Sequence, residues 1–125
     1  MKAWTAMAIA VATGGVTLAS VPLMQHLSAA EDGGKRRPVY ADKLAAGLPT
    51  ACLGITKHVS PYPVVVGEVW SEAKCMEVGG RVVRRQQLAL ADCLEVVVPQ
   101  PVFDALTSHA HNVGVPNTCA SRAVG

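Results

Sequence analysis

The sequence predicts an α+β fold, a small β-lobe followed by a mainly helical lobe, and three observations predict it. Between Val39 and Val69 the chain is interrupted by Gly47, Pro49, Gly54, Pro61, Pro63 and Gly67 around short β-prone pieces such as Pro63-Val64-Val65-Val66. That is the texture of strands and turns. From Ser71 onward apolar residues recur at helical spacing. A further helical pattern opens at Gln100-Pro101 and closes at Asn112-Val113-Gly114, with proline at the first turn and glycine at the stop.

Length and charge bound the rest. A chain of 125 residues holds one domain at most. Eleven Lys+Arg against nine Asp+Glu leave a formal charge of +2, with no basic run longer than Lys35-Arg36-Arg37. A nucleic-acid binder needs a broad Lys/Arg face, so no nucleic-acid partner is expected. The mean hydropathy of +0.31 suits a membrane protein, yet much of it comes from the first 30 residues, where Lys2 is the only charge. The remainder buries roughly 60–65% of its unfolded surface on the usual scaling, a thin core.

Taken in order, the amino-terminal segment comes first. From Ala3 to Met24 there is no ionisable side chain, and small residues (Leu18-Ala19-Ser20, then Ser28-Ala29-Ala30) sit near its end. Residues 1–30 read as an export signal, either cleaved near Ala30 or kept as a signal-anchor able to leave the lipid later. An ordinary buried helix of the domain is the third reading; the one-sided Lys2 and the unpatterned apolarity fit it less well. Residues 31–37 are a charged lead-in and 39–69 the loop-and-strand lobe. Ser71 then suits an N-cap with Glu72 in the first turn, and the helix continues through Val82, Val83, Leu88, Leu90 and Leu94, with Gly79-Gly80 as a point of kinking or splitting. Val102, Leu106 and Ala110 mark the next helix at spacing four. A last helix is expected from about Thr118 and is cut by Gly125, which reads as a fragment lacking its C-terminal helices.

Four cysteines, Cys52, Cys75, Cys93 and Cys119, all lie after the apolar segment. An even number in an exported chain implies two disulfides, with three connectivities open. No two are closer than 18 positions, there is no Cys-x-x-Cys, and His109-x-His111 lacks the spacing of a closed zinc site. Neither a metal nor any other cofactor is expected.

Several stretches resemble a known family. Gln100-Pro101-Val102-Phe103-Asp104-Ala105-Leu106-Thr107-Ser108-His109-Ala110-His111-Asn112-Val113-Gly114 is similar to one of its helices, and Cys119-Ala120-Ser121-Arg122 to the stretch that follows it. Upstream, Tyr40-Ala41-Asp42 and Gly47-Leu48-Pro49-Thr50-Ala51-Cys52-Leu53-Gly54-Ile55-Thr56 resemble its strand-and-turn signature, and Ser71-Glu72-Ala73-Lys74-Cys75 a helix start of its export-competent branch. In the family's order, these pieces resemble the phage-type lysozymes (endolysins) of glycoside hydrolase family 24 over roughly residues 31–125.

The resemblance implies a lysozyme-like fold and hydrolysis of the β-1,4 bond between N-acetylmuramic acid and N-acetylglucosamine of peptidoglycan. By position Glu31 is the implied acid, with Asp42 and Thr50 on the adjoining β-lobe; Asp32 is the alternative acid. A protonated Glu suits donation to the leaving oxygen, an ionised Asp suits activating water, and the Thr hydroxyl suits holding it. The intervals from Glu31 to Asp42 and from Asp42 to Thr50 are each two residues longer than the family's, as two short insertions would make them. His109 and His111 stand at positions that are aromatic core in the family, and are expected as packed or half-exposed helix residues rather than ligands.

Without the resemblance, Glu31 and Asp32 suit a solvated linker, Asp42 a turn or cap, and Thr50 a strand position with an exposed hydroxyl. Tyr40, Tyr62 and Trp70 offer faces on which a sugar could stack but carry no assignment, and Lys35-Arg36-Arg37 suits either a solvated run or contact with anionic wall or lipid. The expected protein is an exported monomer acting on peptidoglycan glycan strands, in the periplasm or tethered to the inner membrane of a bacterial host lysed by a phage or prophage. The competing reading is a non-catalytic periplasmic wall binder or an inactive prophage remnant.

Overall fold

The computed structural model describes residues 5–32, 38–52 and 54–121, with the backbone alone for 28–32. The element order is α1 (Ala6–Ala12), α2 (Val21–Asp32), β1 (Tyr40–Asp42), a 3-10 turn (Lys43–Ala45), β2 (Leu48–Thr50), α3 (Glu72–Ala91), α4 (Gln100–Val113) and α5 (Val115–Ala120). This is the α+β, lysozyme-like class that the sequence predicts. The Lys35-Arg36-Arg37 run lies outside the described residues. Two compact units emerge, one from the described parts of Met1–Leu23 and Val83–Gly125, the other Met24–Val82.

The first unit is built on a cluster of Met7, Val16, Leu90, Ala91, Leu94, Phe103 and Leu106, flanked by Ala10, Val11, Leu18, Cys93, Val98 and Cys119. The apolar segment thus supplies core side chains, Met7 among the most buried of all. It is also tied by polar bonds. Thr5 donates its hydroxyl to the Ala91 carbonyl and accepts from the Ala8 amide, capping α1. The Thr17 amide donates to Gln100 Oε1, while Gln100 Nε2 donates to the Thr17 carbonyl and to Asp104. Ser20 donates to Asp104. Fully buried Gln87 accepts from the Ala19 amide and donates to Thr107, whose hydroxyl in turn donates to the Phe103 carbonyl. Gln87 and Thr107 therefore both have partners, which is the condition for placing an amide in a core. Among the described residues no helix is long and apolar enough to cross a membrane.

Helix boundaries follow local chemistry. Ser71 Oγ accepts the Lys74 amide, the expected N-cap of α3. The helix runs through Gly79-Gly80 without a break. Both glycines are buried, and that packing overrides the cost of about 1 kcal/mol that each carries in a helix. Leu88 points outward at 51% exposure while Gln87 is buried, reversing the polarity that a hydrophobic pattern suggests. On α4 the buried stripe is Phe103, Leu106, Thr107 and Ala110, at i, i+3, i+4 and i+7. Val102 is one position off that stripe and exposed. α5 begins at Val115, three residues before the expected Thr118, because Pro116 favours the first turn. The Cys93–Cys119 disulfide binds α5 to the segment after α3.

In the second unit Val39, Ala51, Ile55, Trp70 and Val78 form the core, with Cys52, Val59, Val64 and Cys75 against it. The segment 63–66 makes no strand: Pro61 and Pro63 lack the donors a ladder needs, and Val65 and Val66 are exposed. Val39 instead meets the next stretch, donating to the Glu68 carbonyl and accepting from the Gly67 amide.

If the apolar segment is part of the core, Met7→Ala lowers the unfolding free energy by about 2–5 kcal/mol. Urea denaturation of the full chain measures this, and a loss well under 1 kcal/mol contradicts it.

Candidate active site

The residues implied as a site fall in the second unit, and the β-hairpin places two of them. β1 and β2 pair antiparallel with Tyr40 opposite Thr50, Ala41 opposite Pro49, and Asp42 opposite Leu48. Opposed residues share a face and faces alternate along a strand, so Tyr40, Asp42, Leu48 and Thr50 project on one side. Asp42 and Thr50 are a diagonal pair there, about 7–8 Å apart in a regular ladder.

The turn between the strands is self-supporting. Asp42 Oδ1 accepts the Leu44 amide at 2.9 Å, so the carboxylate caps the 3-10 turn and its own orientation is set. Ala46 and Gly47 then adopt left-handed conformations, φ 55° and 79°, and the Gly47 amide donates to the Asp42 carbonyl at 2.8 Å. Glycine is the residue for the second of these because a side chain there is strained. Asp42 is thus a cap as well as a candidate functional carboxylate. Its Oδ2 takes no hydrogen bond among the described residues and is the oxygen left for water or substrate.

Thr50 is 3% exposed, and its hydroxyl donates to the Leu48 carbonyl at 3.0 Å. It is not the exposed strand hydroxyl that local pattern suggests. With its proton committed, the oxygen keeps acceptor capacity toward the same face as Asp42. Beyond it, Ala51 and Ile55 exchange two backbone hydrogen bonds of 2.7 Å, closing a tight turn in which Cys52 has φ 49°. Cys52 is joined to Cys75 on the first turn of α3. The hairpin's far end is therefore cross-linked to a helix, and the structure selects Cys52–Cys75 with Cys93–Cys119 from the three pairings open in the sequence.

Glu31 and Asp32 are the last two residues of α2; their side chains lie outside the described part of the structure. The hairpin brings Asp42 and Thr50 together, and Glu31 enters as a backbone position at the end of the preceding helix. Sequence reasoning missed the Leu48 carbonyl and the Leu44 amide as the groups that orient Thr50 and Asp42. An Asp immediately before a short turn is a usable signal for the second.

His109 and His111 belong to the other unit. His109 Nδ1 is 2.7 Å from the Thr118 hydroxyl and His111 Nδ1 is 3.2 Å from Gln86 Oε1. His109 is exposed and His111 half-buried, and each hydrogen-bonds to a neighbouring helix. Among the described residues no group of His, Cys, Asp or Glu is arranged to hold a metal ion.

Because the Cys52–Cys75 bridge closes a segment with a sequence separation of 23, its removal in Cys52→Ser/Cys75→Ser should lower stability by about 2–4 kcal/mol. Thermal or urea unfolding of the double variant against the parent checks this.

A family model described as phage lysozyme matches residues 30–125, most of the chain and all of the hairpin, α3, α4 and α5. No curated protein and no solved structure gives a significant match. With a lysozyme-like α+β fold and a family match over that span, the chain belongs to the phage lysozyme family.

Proposed function

We infer that the protein is a muramidase of the glycoside hydrolase family 24 type, cleaving the β-1,4 bond between N-acetylmuramic acid and N-acetylglucosamine in peptidoglycan. Membership of the phage lysozyme family supports a peptidoglycan-directed glycosidase. The observation that carries the finer reading is the pairing of Asp42 and Thr50 on one face of the hairpin, each oriented by a backbone group.

In this reading Glu31 is the acid, delivering its proton to the leaving glycosidic oxygen as the bond to the anomeric carbon breaks. Asp42 takes the proton of a water that attacks the opposite side of that carbon, and Thr50 Oγ accepts a hydrogen bond from the same water and holds it in line. One proton is donated and one is accepted in each turnover, so the pair ends with its protons exchanged and is reset through solvent. Attack from the far face inverts the anomeric configuration, which requires the two carboxyls to stand roughly 6.5–9.5 Å apart.

Residues 1–30 serve in this reading as the export signal of a signal-anchor branch, and the domain acts on the periplasmic side of the host membrane during lysis by a phage or prophage. The segment stays on the protein. Support comes from buried Met7 and Val16 and from the bonds of Thr17, Ala19 and Ser20 to Gln100, Gln87 and Asp104. Cleavage near Ala30 removes all of them and opens the core. The two disulfides suit an oxidising compartment.

Glu31→Gln and Asp42→Asn should each reduce lysis of permeabilised cells by about 100-fold or more, with Asp32→Asn near the parent in a turbidity assay. Full activity in Glu31→Gln overturns its role as the acid. The first product seen by NMR should be the α-anomer; the β-anomer instead requires retention. Mass spectrometry of the exported protein should recover peptides from residues 5–30, whereas a product beginning after Ala30 overturns retention of the segment.

A further inference from the structure

Three residues of the second unit take no part in that chemistry and are nevertheless built into one another. Lys74 Nζ stands 4.2 Å from the centroid of the Trp70 ring and 4.9 Å from that of Tyr62. The two rings meet edge to face, 6.4 Å apart with an interplanar angle of 83°. Tyr62 is itself held in place: Ser60 Oγ accepts its amide and donates to its carbonyl, and its hydroxyl donates to Glu77 Oε1. The ammonium thus rests in a corner made by two aromatic faces.

Its electrostatics are unbalanced. Glu77, one turn further along α3, is engaged by both the Tyr62 hydroxyl and the Arg81 guanidinium, the latter at 3.1 Å. Glu72 is two positions from Lys74 and so turned to the opposite side of the helix. Among the described residues no carboxylate lies within 4.0 Å of Lys74 Nζ. Beneath it, Trp70 is 3% exposed and its Nε1 is buried without a hydrogen-bond partner. Tyr62, at 37% exposure, leaves the corner open to solvent.

An ammonium fixed against two rings has already lost most of its side-chain freedom, so an incoming anion meets a preorganised donor and little further ordering is needed. Three N–H groups remain for the ligand. We propose that Tyr62, Trp70 and Lys74 form a binding site for a carboxylate of the peptidoglycan stem peptides, carried on the same polymer as the glycan substrate. Lys74, held by the buried Trp70 ring, pairs with the carboxylate and the exposed part of Tyr62 contacts the aliphatic parts of the peptide, so the site recognises the peptide arm while the hairpin residues address the sugar. This assignment rests on the peptidoglycan reading of the family. It commits to the wall rather than to lipid because the feature is a single cation lined by two rings, whereas a phosphate-rich membrane surface is met by clustered cations.

The test is binding, independent of turnover. The full-length parent, Lys74→Gln and Lys74→Arg are sedimented with purified sacculi, with sacculi freed of stem peptides by an amidase, and with vesicles of anionic phospholipid. Lys74→Gln should bind intact sacculi about three- to tenfold more weakly than the parent, and Lys74→Arg nearly as well as the parent. All three should bind the stripped sacculi equally. As a readout that needs no variant, the indole N–H resonance of Trp70 in the parent should shift on adding a soluble stem tripeptide and stay in place with its carboxyl-amidated form. Equal binding of Lys74→Gln and parent to intact sacculi overturns the site, as does an unmoved indole resonance. A Lys74→Gln defect that persists on stripped sacculi, or appears on vesicles alone, also overturns it. A parent that lyses cells but shows any of these results loses this site and keeps the muramidase reading. One that neither lyses cells nor binds intact sacculi loses both.

Discussion

The second unit depends on a cross-link between a very small sheet and a helix. Three paired residues on each strand are too few to hold a hairpin in water. What fixes this one is the Cys52–Cys75 bond at its far end, together with Val39, Ala51, Ile55, Trp70 and Val78 beneath it. The tight Ala51–Ile55 turn carries Cys52 into position, and Ser71 starts α3 so that Cys75 falls on its first turn. Once those ends are joined, the orientation of the whole face bearing Asp42 and Thr50 follows from the two-residue period of a strand. The carboxylate and the hydroxyl are then locked by groups two residues away in the chain, Leu44 and Leu48. Local bonds set the angles and the cross-link sets the platform.

The first unit solves a different problem, that of a core too thin for its own helices. Leu90 of α3, Leu94 just after it, and Phe103 and Leu106 of α4 form a buried cluster, and the amino-terminal segment supplies Met7 and Val16 to it. A segment with no charge between Ala3 and Met24 has only weak specificity of packing, because apolar contact is non-directional. Direction comes from polar groups on the helices. Gln87, Gln100 and Asp104 each reach the backbone or hydroxyl of residues 17–20. The same sequence property, absence of charge, suits passage through an apolar phase and burial in a protein interior. The polar latch is what distinguishes the second state.

The aromatic corner around Lys74 extends this logic to recognition. Trp70 is first of all a core residue, and the cation above it is placed by helix geometry. Glu77, one turn along the helix, is shared by Tyr62 and Arg81, and the proposed site depends on that. A chain acting on a polymer of alternating sugars with charged peptide arms gains from reading both, since two weak contacts on one strand reinforce each other through effective concentration.

Much of the architecture was legible in sequence, because turn residues, caps and helical spacing act locally. Ser71, Pro101 and Gly114 bound their helices as those rules require, and the order of motifs around Asp42, Thr50 and Phe103-Asp104 anticipated the family. Spacing misjudged the faces of α3 and α4, placing Leu88 and Val102 inward where Gln87 and Phe103 are buried. An amide belongs in a core only when partners from distant positions complete its hydrogen bonds, and no local pattern contains Ala19 or Thr107. The disulfide pairing, the packing of Met7 and the seating of Lys74 on two aromatic rings have the same origin. By itself the sequence determined where α3 and α4 begin, that residues 39–69 form a turn-rich lobe, and which residue types were available for chemistry. Tertiary structure decided which of them meet, since contacts between residues 20 to 90 positions apart depend on the simultaneous closure of a core rather than on any neighbour in the chain.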